Sequence, residues 1–138
     1  MAEAIELALH DGAQALDAVA KSNLSKSSLL AKLIDVYLSA AHRDGLATSC
    51  AVTTLAGDVA RSNDHRVRSA YARQVGTYLE LLARLIAGDK HRARRMKAIA
   101  ALSTLVGAVS MARAVNDEKL SREILKSAAD ELKAQLGC

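Results

Sequence analysis

Tyr37, Tyr71, Gln74 and Tyr78 are the side chains of this sequence best suited to hold an organic molecule. Tyr71 and Tyr78 lie seven residues apart, so on a helix they share one face two turns apart, with Gln74 between them. Buried Tyr and Gln seek partners for their polar ends. On an apolar stripe they can orient a ligand through a few hydrogen bonds; equally, they can be core tyrosines whose hydroxyls reach the surface. Cys50 is a second candidate. It opens a short helix, where the dipole favours a thiolate suited to sensing an electrophile or oxidant, although free cysteine also serves as a small buried hydrophobe. The third is the run KHRARRMK at 90–97. Basic charge at a helix N-terminus opposes the macrodipole, so the run does not serve helix stability. It reads either as a solvated helix start or as a patch for phosphate or an acidic partner.

Catalysis has little to work with. His10, His42, His65 and His91 fall in four different segments, and no pair has the i, i+4 spacing of a helical metal site. There is no phosphate-binding glycine loop and no G-x-S-x-G elbow. Acidic residues fall on outward positions or at helix caps. The expectation is a protein that is not an enzyme and needs neither metal nor cofactor.

The elements that position these residues are helices. The chain of 138 residues has no Pro, Trp or Phe, 51% hydrophobic and 25% charged residues, which favours one nearly all-helical domain over 1–138. Its three tyrosines are the only aromatics, which disfavours a nucleic-acid site built on stacking. Residues 2–20 are helical but weakly patterned, and 21–28 are a polar break offering Ser25 and Ser27 as N-caps. A helix over 29–43 places Leu30, Leu33, Ile34, Tyr37, Leu38 and Ala41 on one face and stops at Asp44-Gly45. A short helix follows over 49–61. Asp64 caps the next, whose stripe is Val67, Tyr71, Gln74, Tyr78, Leu82 and Leu85, and Gly88 ends it as a C′ glycine. After a long helix at 90–115, Asn116 suits a left-handed exit, and Asp117 caps a last helix at 118–136 with Leu120, Ile124, Leu125, Ala128, Leu132 and Leu136 on its apolar side.

The long helix organises the rest. Between Ala98 and Ala112 it carries no charge. Met96, Ile99, Leu102, Val106 and Val109 recur as one apolar face. Beside them run Ala100, Ser103, Gly107, Ser110 and Ala114, small enough for another helix to approach closely. A surface helix needs one apolar stripe, so the second face is expected to meet a second copy of the chain. The charge-free run is shorter than the roughly 20 residues of a membrane span, so no membrane is expected. The opening residues carry acids rather than a basic n-region. Two cysteines, one of them the terminal Cys138, which is expected to be frayed, define no disulfide framework. A reducing cytoplasm is the expected setting.

YLSAAHRDGLATSCAVTTLAGDVARSNDHRVRSAY, over 37–71, resembles the ligand-binding domain of TetR/AcrR-type transcriptional regulators, in which a helix ending in H-R-D leads into a G-C-x-x-x-x-L-A-x-E-V-A-R helix. SMARAVNDEKLSREILKSAADEL, over 110–132, is similar to that family's last two helices. Ser49 and Asp58 depart mildly from the pattern, which has Gly and Glu there. The large departure is the helix-turn-helix domain: nothing before Ser25 resembles it, and 1–20 would correspond to the end of the connecting helix.

The resemblance implies a six-helix orthogonal bundle whose last two helices pair with their symmetry mates in a four-helix homodimer interface. That assigns Ala100, Ser103, Gly107, Ser110, Ala114, Leu120, Ile124 and Leu132 to the interface. It places the effector pocket among the middle helices, at Tyr37, Tyr71, Gln74 and Tyr78, with Cys50 beside them. No charged residue shares the stripe between Val67 and Leu85, so an uncharged or weakly polar organic effector is expected. The implied function is effector binding and dimerisation for a bacterial transcriptional repressor, with DNA contacted only through the domain not found in these residues. The alternative is a headless all-helical dimer acting as an interaction module or small-molecule binder.

Overall fold

The computed structural model describes residues 21, 23, 25–45 and 51–138. The segment read as the end of a connecting helix, 1–20, and Cys50 lie outside the described residues. Within them the protein is all-helical, with six helices: α1 (Lys26–Tyr37), α2 (Ala40–Asp44), α3 (Ala51–Arg61), α4 (His65–Leu85), α5 (His91–Ala114) and α6 (Glu118–Leu136).

Local chemistry sets most of the boundaries. The Ser25 hydroxyl accepts from the Ser28 amide at 3.2 Å and starts α1. Asp64 does the same for α4 through the Arg66 amide at 2.9 Å, and Asp117 for α6 through the Leu120 amide at 3.1 Å. Three boundaries differ from the sequence expectation. The helix read over 29–43 is two helices, because Ser39 turns extended (φ −90°, ψ 155°) and caps α2 by accepting from the His42 amide. Gly88 is not a C′ residue: α4 ends at Leu85, where Ile86 turns extended to bury its side chain, and Gly88 adopts its positive φ of 137° within the following turn. Asn116 is not left-handed, since Val115 already leaves α5 in extended backbone. Cys138 is not frayed. Gly137 adopts φ 71°, the Cys138 amide donates to the Lys133 carbonyl at 2.9 Å, and its side chain packs on the core.

The core centres on α5, which touches every other described helix. Its buried face is Ala98, Ala101, Leu102, Leu105, Ala108, Val109 and Ala112. This is rotated from the stripe of large residues read from the sequence: Leu102 and Val109 are buried, but Met96 and Ile99 are 63% and 47% exposed. The physical reason is close packing. A helix hemmed in by α4 and α6 turns alanines inward, because they let neighbouring backbones approach. The large residues are displaced to the rim. Ala100, Ser103, Ser110 and Ala114 are exposed and Gly107 is half-buried, so none of this small-residue stripe is consumed by the protomer's own core. α5 is long and apolar enough to cross a membrane by length and composition alone, and 39% of that stretch is buried against the other helices.

Candidate functional site

The four polar residues singled out from the sequence fall on α1 and α4, on either side of the start of α3. Tyr37, the last residue of α1, is 4% exposed, and its hydroxyl shares a hydrogen bond with the Thr53 hydroxyl. Tyr71 donates to the Val52 carbonyl at 2.8 Å. Both tyrosines therefore hold the first turn of α3. Tyr78 is 1% exposed and belongs, with Tyr37, to the continuous core; Tyr71 packs against that core. Gln74 lies one turn from both α4 tyrosines. Its amide oxygen is fully buried and accepts no hydrogen bond among the described residues. Tyr71 also faces an open, mainly apolar cleft of about 540 Å3 between α3 and α4, lined by Ala56, Val59 and Ala72 among others.

A second polar cluster, which the sequence reading missed, joins α2 to the α5–α6 turn. Arg43 is 8% exposed. It grips Asp44 with two bonds of 2.8 and 3.1 Å, reaches Glu118 at 3.1 Å, and donates to the Ser121 hydroxyl at 2.8 Å. Ser121, itself buried, donates its hydroxyl to the Ala112 carbonyl at 2.7 Å. From the other side Arg113 donates to the carbonyls of Arg43 and His42 at 2.9 and 3.1 Å and to the Thr54 hydroxyl at 3.2 Å. A guanidinium on the last carbonyls of α2 satisfies groups that the helix leaves open. No spacing signal could have revealed this cluster, since Arg43 lies 78 positions from Ser121 and 70 from Arg113.

His42 links the two clusters. Its ring lies 4.5 Å from that of Tyr37, and its Nδ1 sits 2.7 Å from the Tyr37 carbonyl, which can only accept. The neutral ring therefore carries its proton on Nδ1. Burial lowers the His42 pKa below its ordinary value, the Tyr37 carbonyl opposes this, and the Arg113 charge adds to it. Asp44 is held below the usual carboxylate range by its hydrogen bonds from Arg43, and Glu118 by those from Arg122 and then Arg43.

Among the described residues, no three His, Cys, Asp or Glu side chains gather as metal ligands. The basic run opens α5, with Arg94 and Arg95 half-buried and the rest exposed. No protein-family model matches the chain, and no curated protein matches it.

These shifts fix the sign of the pH dependence. A base whose pKa is lowered on folding binds more protons when unfolded, so its contribution is complete above the ordinary value of 6.5 and is lost as pH falls through the folded value. The carboxylates act in the same direction but lower, below their ordinary values of 3.8 for Asp44 and 4.5 for Glu118. Urea midpoints should therefore decline in two stages on acidification. His42→Asn, which keeps a donor near the Nδ1 position, should remove the first stage, which sets in as pH falls below the ordinary value of 6.5. An unchanged profile would show that His42 titrates alike folded and unfolded.

Proposed function

We propose that these helices form the effector-binding and dimerisation domain of a TetR-like transcriptional regulator, in which a small, mainly apolar organic ligand controls DNA binding by a helix-turn-helix domain outside these residues. One observation carries the ligand half: the Gln74 oxygen is buried without a donor. Leaving such a group unmatched costs about 1–3 kcal/mol, and a ligand N–H or O–H aimed at it removes that cost. Tyr71 and Tyr78 lie one turn to either side of Gln74 on α4, and Tyr71 lines the α3–α4 cleft, the nearest opening for a ligand. This arrangement favours a neutral organic molecule with one or more donors over an anion. No catalytic step is assigned to these groups.

The dimer half rests on the outer face of α5. Met96, Ile99 and Met111 on α5 and Leu120 on α6 are large apolar residues more than 40% exposed, and such a patch marks an interaction surface. Between them Ala100, Ser103, Gly107, Ser110 and Ala114 leave room for a partner's helix, and Ile124 extends the patch along α6. Leu132 is only 3% exposed and serves the protomer's own core. Because α4 packs directly on α5, a ligand that favours one position of α4 biases the dimer between two arrangements, a population shift between ligand site and partner.

Native mass spectrometry of the protein purified from its own source should reveal a retained small molecule, and Gln74→Leu should lose it while melting at the same temperature or higher. Absence of any bound molecule from the wild type, with no difference between the two proteins, would make Gln74 a plain core residue.

The interface is tested separately. A side chain begun at Gly107 meets nothing within 4 Å inside the protomer, so Gly107→Leu should fold normally yet overpack the interface. Sedimentation at micromolar concentration should give a wild-type dimer and a variant shifted to monomer. A monomeric wild type would refute the assignment.

A further inference from the structure

The last turns of α4 and the first turn of α5 enclose an open cleft of about 280 Å3, lined by Glu80, Ala83, Arg84, His91, Arg94 and Arg95. Three guanidiniums thus face one carboxylate. Among the described residues none of the three forms an ion pair or donates a side-chain hydrogen bond, and Glu80 accepts none. Arg94 is the informative one. Its Nε is fully buried, and the proton it carries reaches no acceptor. The two terminal nitrogens of the same guanidinium are not buried, so the head of Arg94 reaches solvent at the cleft. Gly88 takes φ 137°, a backbone shape that L side chains rarely adopt, and its missing Cβ would lie 3.6 Å from the Arg94 Cγ. The Arg94 stem packs under the turn, and its side chain lines the cleft.

The start of α5 adds to the imbalance. Its N-cap residue, Lys90, makes no side-chain cap, and the first turn contains no acid. The open amides and the positive end of the dipole therefore face cations rather than the anion they favour.

We infer that this cleft is a binding site for a small phosphate- or carboxylate-bearing anion, with Arg94 as its central ligand and Arg84 and Arg95 flanking it. An oxyanion accepting from the exposed terminal nitrogens of Arg94 offsets this guanidinium and its two neighbours, and planar guanidinium forks match phosphate and carboxylate geometry. Its concave shape favours a small ligand over a nucleic-acid backbone, which would meet the exposed Arg92 and Lys97 rather than the floor of the cleft. Glu80 in the wall limits the charge the site tolerates and offers an acceptor to a hydroxyl on the same ligand. The site is separate from the Gln74 region and stands whether or not the protein dimerises.

The test is a titration of the whole chain with inorganic phosphate, chloride holding ionic strength constant, followed by NMR at the arginine Nε–H groups. The Arg94 resonance should shift saturably, and Arg94→Gln should weaken binding by about tenfold or more. Arg94→Lys keeps the charge but not the fork and should fall between. Arg122→Gln, which removes an exposed arginine paired with Glu118, should bind as the wild type does. No saturable shift at tens of millimolar phosphate, or equal weakening in Arg94→Gln and Arg122→Gln, would overturn the site. Should Arg94→Gln fail to fold, the wild-type Nε–H titration decides alone.

Discussion

The packing of α5 against five other helices is the constraint on which the remaining structure depends. Its inward face alternates small and large residues at a seven-residue repeat: Ala98, Leu105 and Ala112; Ala101 and Ala108; Leu102 and Val109. Alanines bring the backbones of α4 and α6 close, and the two leucines and the valine fill the space between them. All seven are no more than 6% exposed. A helix that gives its small residues to this task has nowhere inside the protomer for Met96, Ile99 and Met111. The exposed outer face, and with it the proposed interface, is a consequence of how the core is built.

Around this core the polar groups work as fasteners. Arg43, Arg113 and Ser121 hold the five-residue helix α2 to the α5–α6 turn, and a helix that short has no stability of its own. Tyr37 and Tyr71 hold the first turn of α3 from two sides, through Thr53 and Val52. His42, against Tyr37 and beneath Arg113, connects the two sets of bonds. A shift of α4 that moves Tyr71 therefore acts on α3, and through the Arg113 bond to Thr54 it acts on the end of α5. That network gives the proposed effector region a physical route to the proposed interface.

The helices themselves were legible in the sequence because their signals are local. Ser25, Asp64 and Asp117 are caps that act within three residues, and the periodicity of Leu30, Leu33 and Ile34 or of Tyr78, Leu82 and Leu85 needs only one helix to be seen. The break at Ser39 was also signalled locally, by a serine followed by a helical stretch, but the apolar face running through it concealed the signal. What could not be read was which side of α5 faces inward. Periodicity locates a stripe, whereas the choice between a stripe of large residues and one of alanines is made by how closely the neighbours approach. The Arg43–Ser121 bond spans too much chain to leave any pattern, and the unmatched oxygen of Gln74 exists only once the core has closed around it. The sequence led to Tyr37, Tyr71 and Gln74 as polar groups on apolar stripes; their service to the start of α3 came from the fold.

The central claim is that the outer face of α5 meets a second copy of the same chain. Methionine-methyl labelling tests it directly, since Met96 and Met111 both lie on that face, 63% and 54% exposed in the protomer. In a mixture of labelled and unlabelled chains, isotope-filtered NOE spectra should show intermolecular contacts from Met111, and from Met96 where the helices cross, to aliphatic protons of the partner. Methyl signals that contact only their own chain, on a molecule tumbling as a monomer, would contradict the account.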